Sequence, residues 1–241
     1  MKLLLKYICL YIGSVIHKNR KSKVLYYHDV GTQYTDMGTD VELIEAHINA
    51  IQNEGFNIVN EIKSPINEIL IAFDDGWHGL YDAKDFFVEK GIYPTVFVAV
   101  ELINKPGYLS LQEILELKQI GFRFESHTWS HKGLPDYTSD SDLAHELIGS
   151  KQWLEKELGG TVEGICFPQG RFSDYVITKC IDAGYQRIYS SLYGSIDTLL
   201  SKHGIICRIL LHNVPVGHIK YIIKGDSALY RYRLFKLHYS S

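Results

Sequence analysis

No Cys-x-x-Cys pair occurs in this sequence, whose four cysteines, Cys9, Cys166, Cys180 and Cys207, stand far apart. That spacing excludes a zinc ribbon and a dense disulfide framework, and it fits a reducing compartment. An excess of basic charge is also missing. With 25 Lys and Arg against 28 Asp and Glu the net charge is -3, so nucleic acid is not an expected partner. Internal repeats, low-complexity tracts and long linkers are absent as well, and 241 residues at 46% hydrophobic content suit a single α/β domain.

A long apolar run is lacking too. The longest, Leu3 to Ile16, has 14 residues and is interrupted by Lys6, which is short for a bilayer span. No small-residue cleavage site follows it, because the chain continues His17-Lys18-Asn19-Arg20-Lys21-Ser22-Lys23, so removal as a secretory signal is not expected. Four basic residues after the run, against Lys2 before it and Lys6 within it, would keep the following domain on the cytoplasmic side. Residues 1–22 thus form an N-terminal apolar and basic segment. It is either a helix packed on the domain or an interfacial anchor giving peripheral membrane contact through residues 1–16. The expected location is cytoplasmic, at the inner face of the membrane if that contact is made.

From Lys23 onward short apolar runs alternate with helical patterns, the signature of strand-helix units around a parallel sheet. About seven units are expected, with strands at Val24-Tyr27, Asn57-Val59, Ile69-Phe73, Thr95-Val100, Phe122-Glu125, Gly164-Phe167, Arg187-Ser190 and Ile205-Leu211. Ser110-Leu111-Gln112-Glu113 is a capping box that starts a helix, and Gly121 stops it. A second helix is expected from Asp140 to Leu158, with Leu143, Leu147, Leu154 and Leu158 on one stripe and Gly159-Gly160 at its end. The basic aromatic tail, Tyr230-Arg231-Tyr232-Arg233-Leu234-Phe235-Lys236, reads as a closing helix or as a surface for anionic lipid or a sugar chain.

Chemistry concentrates where these strands end. Ile69 to Phe73 delivers Asp74-Asp75-Gly76-Trp77, two adjacent carboxylates of which one can bind a cation while the other stays free as a general base. His127-Thr128-Trp129-Ser130-His131 follows another strand. On a helical turn its spacing would put both imidazoles on one face, and two histidines with one carboxylate leave the open position that a catalytic metal needs. Cys166-Phe167-Pro168-Gln169-Gly170-Arg171 ends a third strand in an irregular loop that can expose a backbone N–H to an oxyanion. His28 and His212 also stand just beyond strand ends, and in a barrel all of these would converge on one face.

Phe73-Asp74-Asp75-Gly76, His127-x3-His131 and Phe167-Pro168-Gln169-Gly170, in this order, resemble the three motifs of the polysaccharide deacetylases, the NodB-like or carbohydrate esterase family 4 enzymes. Val24-Leu25-Tyr26-Tyr27-His28 is similar to the opening strand of many members. The resemblance covers most of the chain and implies a distorted (β/α) barrel of about seven strands over residues 23–241, closed by the C-terminal basic aromatic helix. It implies that Asp75, His127 and His131 hold one divalent metal ion, usually zinc with cobalt or nickel as alternatives, and that Asp74 is the catalytic base. It further implies an oxyanion donor at the Gln169 N–H and a histidine acid. Leu210-Leu211-His212 matches the family's Leu-x-His motif, while Cys207-Arg208-Ile209 resembles a Pro-Arg segment that would make His212 incidental and leave His28 as the acid. Ala72 stands where threonine is frequent and Gln169 where tyrosine is usual, which bears on substrate rather than on reaction type. The expected activity is metal-dependent removal of acetyl groups, N-acetyl foremost, from a polysaccharide or lipid-linked glycan. The alternatives are hydrolysis of a small non-sugar amide and a catalytically silent carbohydrate-binding barrel.

Overall fold

The computed structural model describes residues 2–16, 18–196 and 204–240. The strands are β1 (Lys23–Tyr27), β2 (Asp29–Val30), β3 (Gly38–Thr39), β4 (Asn57–Val59), β5 (Glu68–Phe73), β6 (Thr95–Val98), β7 (Arg123–Ser126), β8 (Gly164–Cys166), β9 (Arg187–Tyr189), β10 (Ile205–Ile206) and β11 (Arg208–Leu210). The α-helices are α1 (Lys2–Ile16), α2 (Val41–Asn53), α3 (Gly79–Asp82), α4 (Lys84–Glu89), α5 (Leu111–Gln119), α6 (Asp140–Ala144), α7 (Ser150–Leu158), α8 (Asp174–Asp182), α9 (Ile219–Lys224) and α10 (Ala228–His238). β2 pairs only with β3; the other strands form one sheet in the order β10-β9-β8-β7-β6-β5-β1-β11, with β4 added beside β5. Every pairing between these strands is parallel.

Eight strands lie on that path where about seven were expected, and the difference has a simple cause. β10 and β11 flank Cys207 in one stretch of chain; β10 pairs with β9 while β11 pairs with β1. The stretch thus carries the sheet round to its starting edge, and the result is a nearly closed (β/α) barrel of seven staves.

Strand alternation sorts the side chains into two cores. Val24, Tyr26, Leu70, Ala72, Phe97, Cys166 and Tyr189 fill the barrel. Leu25, Tyr27, Ile69, Ile71, Phe73, Val96 and Ile165 point outward under helix residues such as Ile44, Ile48, Phe87, Ile114, Leu154 and Ile177. Fully burying each such side chain is worth about 1.5–3 kcal/mol, so this outer layer dominates the fold's stability. The local signals hold as well. Ser110 Oγ accepts from Glu113 N at 3.2 Å while Glu113 Oε2 accepts from Ser110 N at 2.8 Å, which completes the capping box of α5. The segment expected as one helix from Asp140 to Leu158 is α6 and α7 joined by a wide π turn at His145–Gly149, ending at left-handed Gly159.

The chain ends are part of the body. α1 packs against α9 and α10. Lys23 is buried and its Nζ donates to Ile223 O at 2.8 Å, near the C-terminus of α9. At the end of α10, Phe172 N donates to His238 O at 3.0 Å and Ser240 N to Phe172 O at 2.9 Å, tying the C-terminal segment to the loop after β8.

Candidate active site

At the end of β5 the backbone turns sharply. Asp75 (φ 71) and Gly76 (φ 78) are both left-handed, and a side chain at Gly76 would meet Val98 Cγ1 at 2.9 Å, so glycine is required there. The turn points both carboxylates into the same cavity. Asp74 is buried and receives both arms of Arg208, Nη1 to Oδ1 at 2.6 Å and Nη2 to Oδ2 at 2.8 Å. Burial alone would push the Asp74 carboxyl up, but the Arg208 guanidinium outweighs it and holds the carboxyl below its ordinary range. Arg208 is itself buried, 4.1 Å from the Tyr26 ring centroid and 5.0 Å from that of Phe97.

Asp75 faces the two histidines. Its Oδ1 lies 3.3 Å from His127 Nε2 and 3.0 Å from His131 Nε2, yet this buried oxygen makes no hydrogen bond of acceptable geometry. His127 Nδ1 lies 2.8 Å from Cys166 O. A carbonyl only accepts, so Nδ1 carries the hydrogen and Nε2 presents its lone pair toward Asp75. A carboxylate oxygen and two imidazole nitrogens meeting at one point suit a cation, and Asp75, His127 and His131 present ligand atoms all within 4.8 Å of one another. Asp74, His127 and Cys166 also meet this spacing, but both oxygens of Asp74 are occupied by Arg208, and burial pushes the Cys166 thiol up into its neutral form. Asp75 with the two histidines is therefore the better cation site.

The two histidines are not brought together by a helical turn, the arrangement considered from their spacing. Residues 127–131 are irregular, with Thr128 (φ 70) and His131 (φ 65) left-handed. Glu146, in the π turn, fixes this loop: its Oε2 accepts from Trp129 N and Ser130 N at 3.0 Å each, and its Oε1 from Ser130 Oγ at 2.7 Å and Tyr137 OH at 2.6 Å. Sequence reasoning missed Glu146, although a charged residue on the stripe that carries Leu143 and Leu147 is a detectable irregularity. It also missed His238, and it noted Arg208 as an alignment anchor rather than as the partner of Asp74.

A cavity of about 400 Å³ joins these groups. His28, Asp74, Asp75, His127, His131, Gln169, Arg208 and His238 line it, together with Leu10, Ile222, Tyr230 and Leu234 from α1, α9 and α10. His28 Nδ1 is buried without a partner, and burial lowers the proton affinity of the ring against the pull of Asp74 and Asp75. Gln169 is left-handed (φ 58) in the turn Pro168–Gly170. His212 lies outside this lining, half-buried beyond β11, with its Nε2 3.1 Å from Asn213 Nδ2.

The comparisons with known proteins agree with this geometry. The Bacillus subtilis protein YxkH, named as a polysaccharide deacetylase, is 25% identical over 180 residues, which is 70% of this chain and 64% of that protein. The chain therefore spans somewhat less than two thirds of this curated relative. Among solved structures, the Streptococcus pyogenes deacetylase PplD in complex with acetate superposes with a TM-score of 0.74 at 20% identity, covering 86% of this chain and all of that one. A polysaccharide deacetylase from Bacillus cereus gives a TM-score of 0.74 at 25% identity, covering 86% of this chain and 70% of that one. The profile named "Polysaccharide deacetylase" matches residues 61–188, more than half of the sequence and a stretch that includes Asp74, Asp75, His127, His131 and Gln169; the chain belongs to the polysaccharide deacetylase family.

Proposed function

We propose that the protein is a metal-dependent hydrolase that removes acetyl groups, N-acetyl foremost, from a carbohydrate, either a polysaccharide or a lipid-linked glycan. The observation that carries this reading is the convergence of Asp75, His127 and His131 beside a carboxylate, Asp74, that Arg208 keeps ionised. A divalent cation held by the three ligands, zinc being the best match to two imidazoles and one carboxylate, would polarise the acetyl carbonyl and acidify a water. Asp74, lining the same cavity, accepts the proton of that water as general base. The main-chain N–H of Gln169, at the cavity wall, is assigned to the developing oxyanion. His28 is assigned as the acid that protonates the leaving nitrogen: both it and His212 have an unpartnered ring nitrogen, but His28 lines the cavity and His212 does not. The family membership and the relatives named for deacetylation support the substrate class.

Two measurements on the same preparations test this. Metal content should be about one transition-metal ion per chain in the wild type and Asp74→Asn, and should be lost in His127→Ala. Acetate release from acetylated oligosaccharides should fall by about 100-fold or more in Asp74→Asn. Bound metal with no acetate release from any sugar, but with hydrolysis of small amides, would move the substrate to a non-sugar amide. No metal uptake even after zinc is supplied would leave a silent barrel.

A further inference from the structure

The three helices that close the barrel differ in charge from the rest of the molecule. α1 and α9 contain two lysines each, α10 contains two arginines and a lysine, and none of the three holds an aspartate or glutamate. The whole chain, by contrast, carries a net charge of -3. Lys224 and Arg231 are engaged internally, with Glu54 and Asp226, but Lys220, Arg233 and Lys236 are exposed.

Their surface is also apolar where a solvated helix would be polar. On α1, Ile8, Tyr11, Ile12, Val15 and Ile16 recur at helical spacing and are between 44% and 66% exposed. On α10, Leu229, Tyr232 and Leu237 are 69%, 56% and 72% exposed, next to Arg233 and Lys236. Tyr11 also meets the Tyr221 ring of α9 edge to face at 5.2 Å, while the rest of the α1 stripe is not what seats that helix. The inner side of α1 is already seated by backbone contact: a side chain at Gly13 would strike Asp226 O at 2.3 Å, and one at Gly225 would lie 3.0 Å from Ser14 N. Among the described residues no helix is long and apolar enough to cross a membrane.

Basic residues beside exposed aliphatic and aromatic ones, on short helices packed side by side, are the chemistry that recognises an anionic bilayer surface. We infer that the outer faces of α1 and α10 seat the protein on an anionic phospholipid membrane, with Ile12, Leu229 and Leu237 entering the boundary between headgroups and acyl chains and Arg233 and Lys236 facing the headgroups. The same helices wall the cavity through Leu10, Ile222, Tyr230 and Leu234. The reaction site then lies roughly one helix diameter, about 10 Å, behind the docked surface.

Vesicle flotation with the full chain tests this, using phosphatidylcholine vesicles with and without about one-third phosphatidylglycerol, at low and high salt. The wild type should float with the anionic vesicles at low salt and bind neutral ones at least about tenfold more weakly. Arg233→Glu with Lys236→Glu, and separately Leu229→Ser with Leu237→Ser, should each lower partitioning by about tenfold or more. All four positions are exposed and outside the cavity lining, so hydrolysis of a soluble substrate and the melting temperature should match the wild type, which separates loss of docking from loss of fold. Failure of the wild type to bind anionic vesicles, or binding indifferent to the charge reversals, would overturn the assignment. So would a concentration-dependent dimer that Leu229→Ser abolishes, since the face would then belong to a second copy of the chain. Neither result bears on acetate release, so this inference and the proposed activity fail separately.

Discussion

Adjacent residues at a strand end acquire different chemistry from their neighbours, as Asp74 and Asp75 do here. Asp74 is met by a guanidinium at 2.6 and 2.8 Å, whereas Asp75 is met by imidazole nitrogens. The two carboxylates and the two histidines were legible in the sequence because each pair is local and stands at a strand end. Arg208 was not legible as the partner of Asp74, since 134 residues separate them and only closure of the barrel brings them together. The two histidines considered as the acid were equally local and equally ambiguous in sequence; exposure to the cavity separates them. His28→Ala should therefore lower turnover by about 100-fold or more with metal content unchanged, while His212→Ala stays within a few-fold of wild type. Steady-state rates on one acetylated substrate with both variants decide it, and a crippled His212→Ala beside an active His28→Ala would reverse the assignment.

At the scale of elements, the strands fell within a residue or two of their expected places, because β-branched runs between turn residues are strong local signals. The irregular pieces did not. The break at Cys207 and the π turn at His145–Gly149 are set by tertiary demands, the first by a strand that must serve two neighbours and the second by Glu146. One extra residue in that turn of helix is the kind of distortion that recurs near functional sites. Here it accompanies a buried carboxylate beneath the loop that carries His127 and His131. Glu146→Ala would strip two backbone N–H groups and two hydroxyls of their acceptor. Loss of a support behind a ligand loop should weaken metal affinity by about 10–100-fold, measured by chelator competition. It should also cost about 2–3 kcal/mol of stability, since buried donors are left without partners. Wild-type affinity in that variant would mean that the ligand loop holds its shape without Glu146.

At the scale of the whole molecule, the barrel is filled partly by aliphatic and aromatic side chains and partly by an ion pair. The inner cluster is small, and Arg208 stands among it, with its charge over the rings of Tyr26 and Phe97, its Nε donating to Ser190 O at 3.2 Å, and both amino groups on Asp74. One side chain thus links β11 to the end of β5 and to the residue after β9. Removing only the cation leaves a buried carboxylate without its partner. Arg208→Met should therefore destabilise the fold by about 3–5 kcal/mol, the usual cost of breaking a buried pair from one side. Combining it with Asp74→Asn removes the stranded charge, so the double variant should recover at least about 1 kcal/mol relative to Arg208→Met, an interaction energy within the range for residues in contact. Urea unfolding with an unchanged slope would report these differences as stability rather than as a change in the unfolded state. If Arg208→Met costs less than about 1 kcal/mol, the value of an exposed pair, cavity water solvates Asp74 well enough to replace the guanidinium.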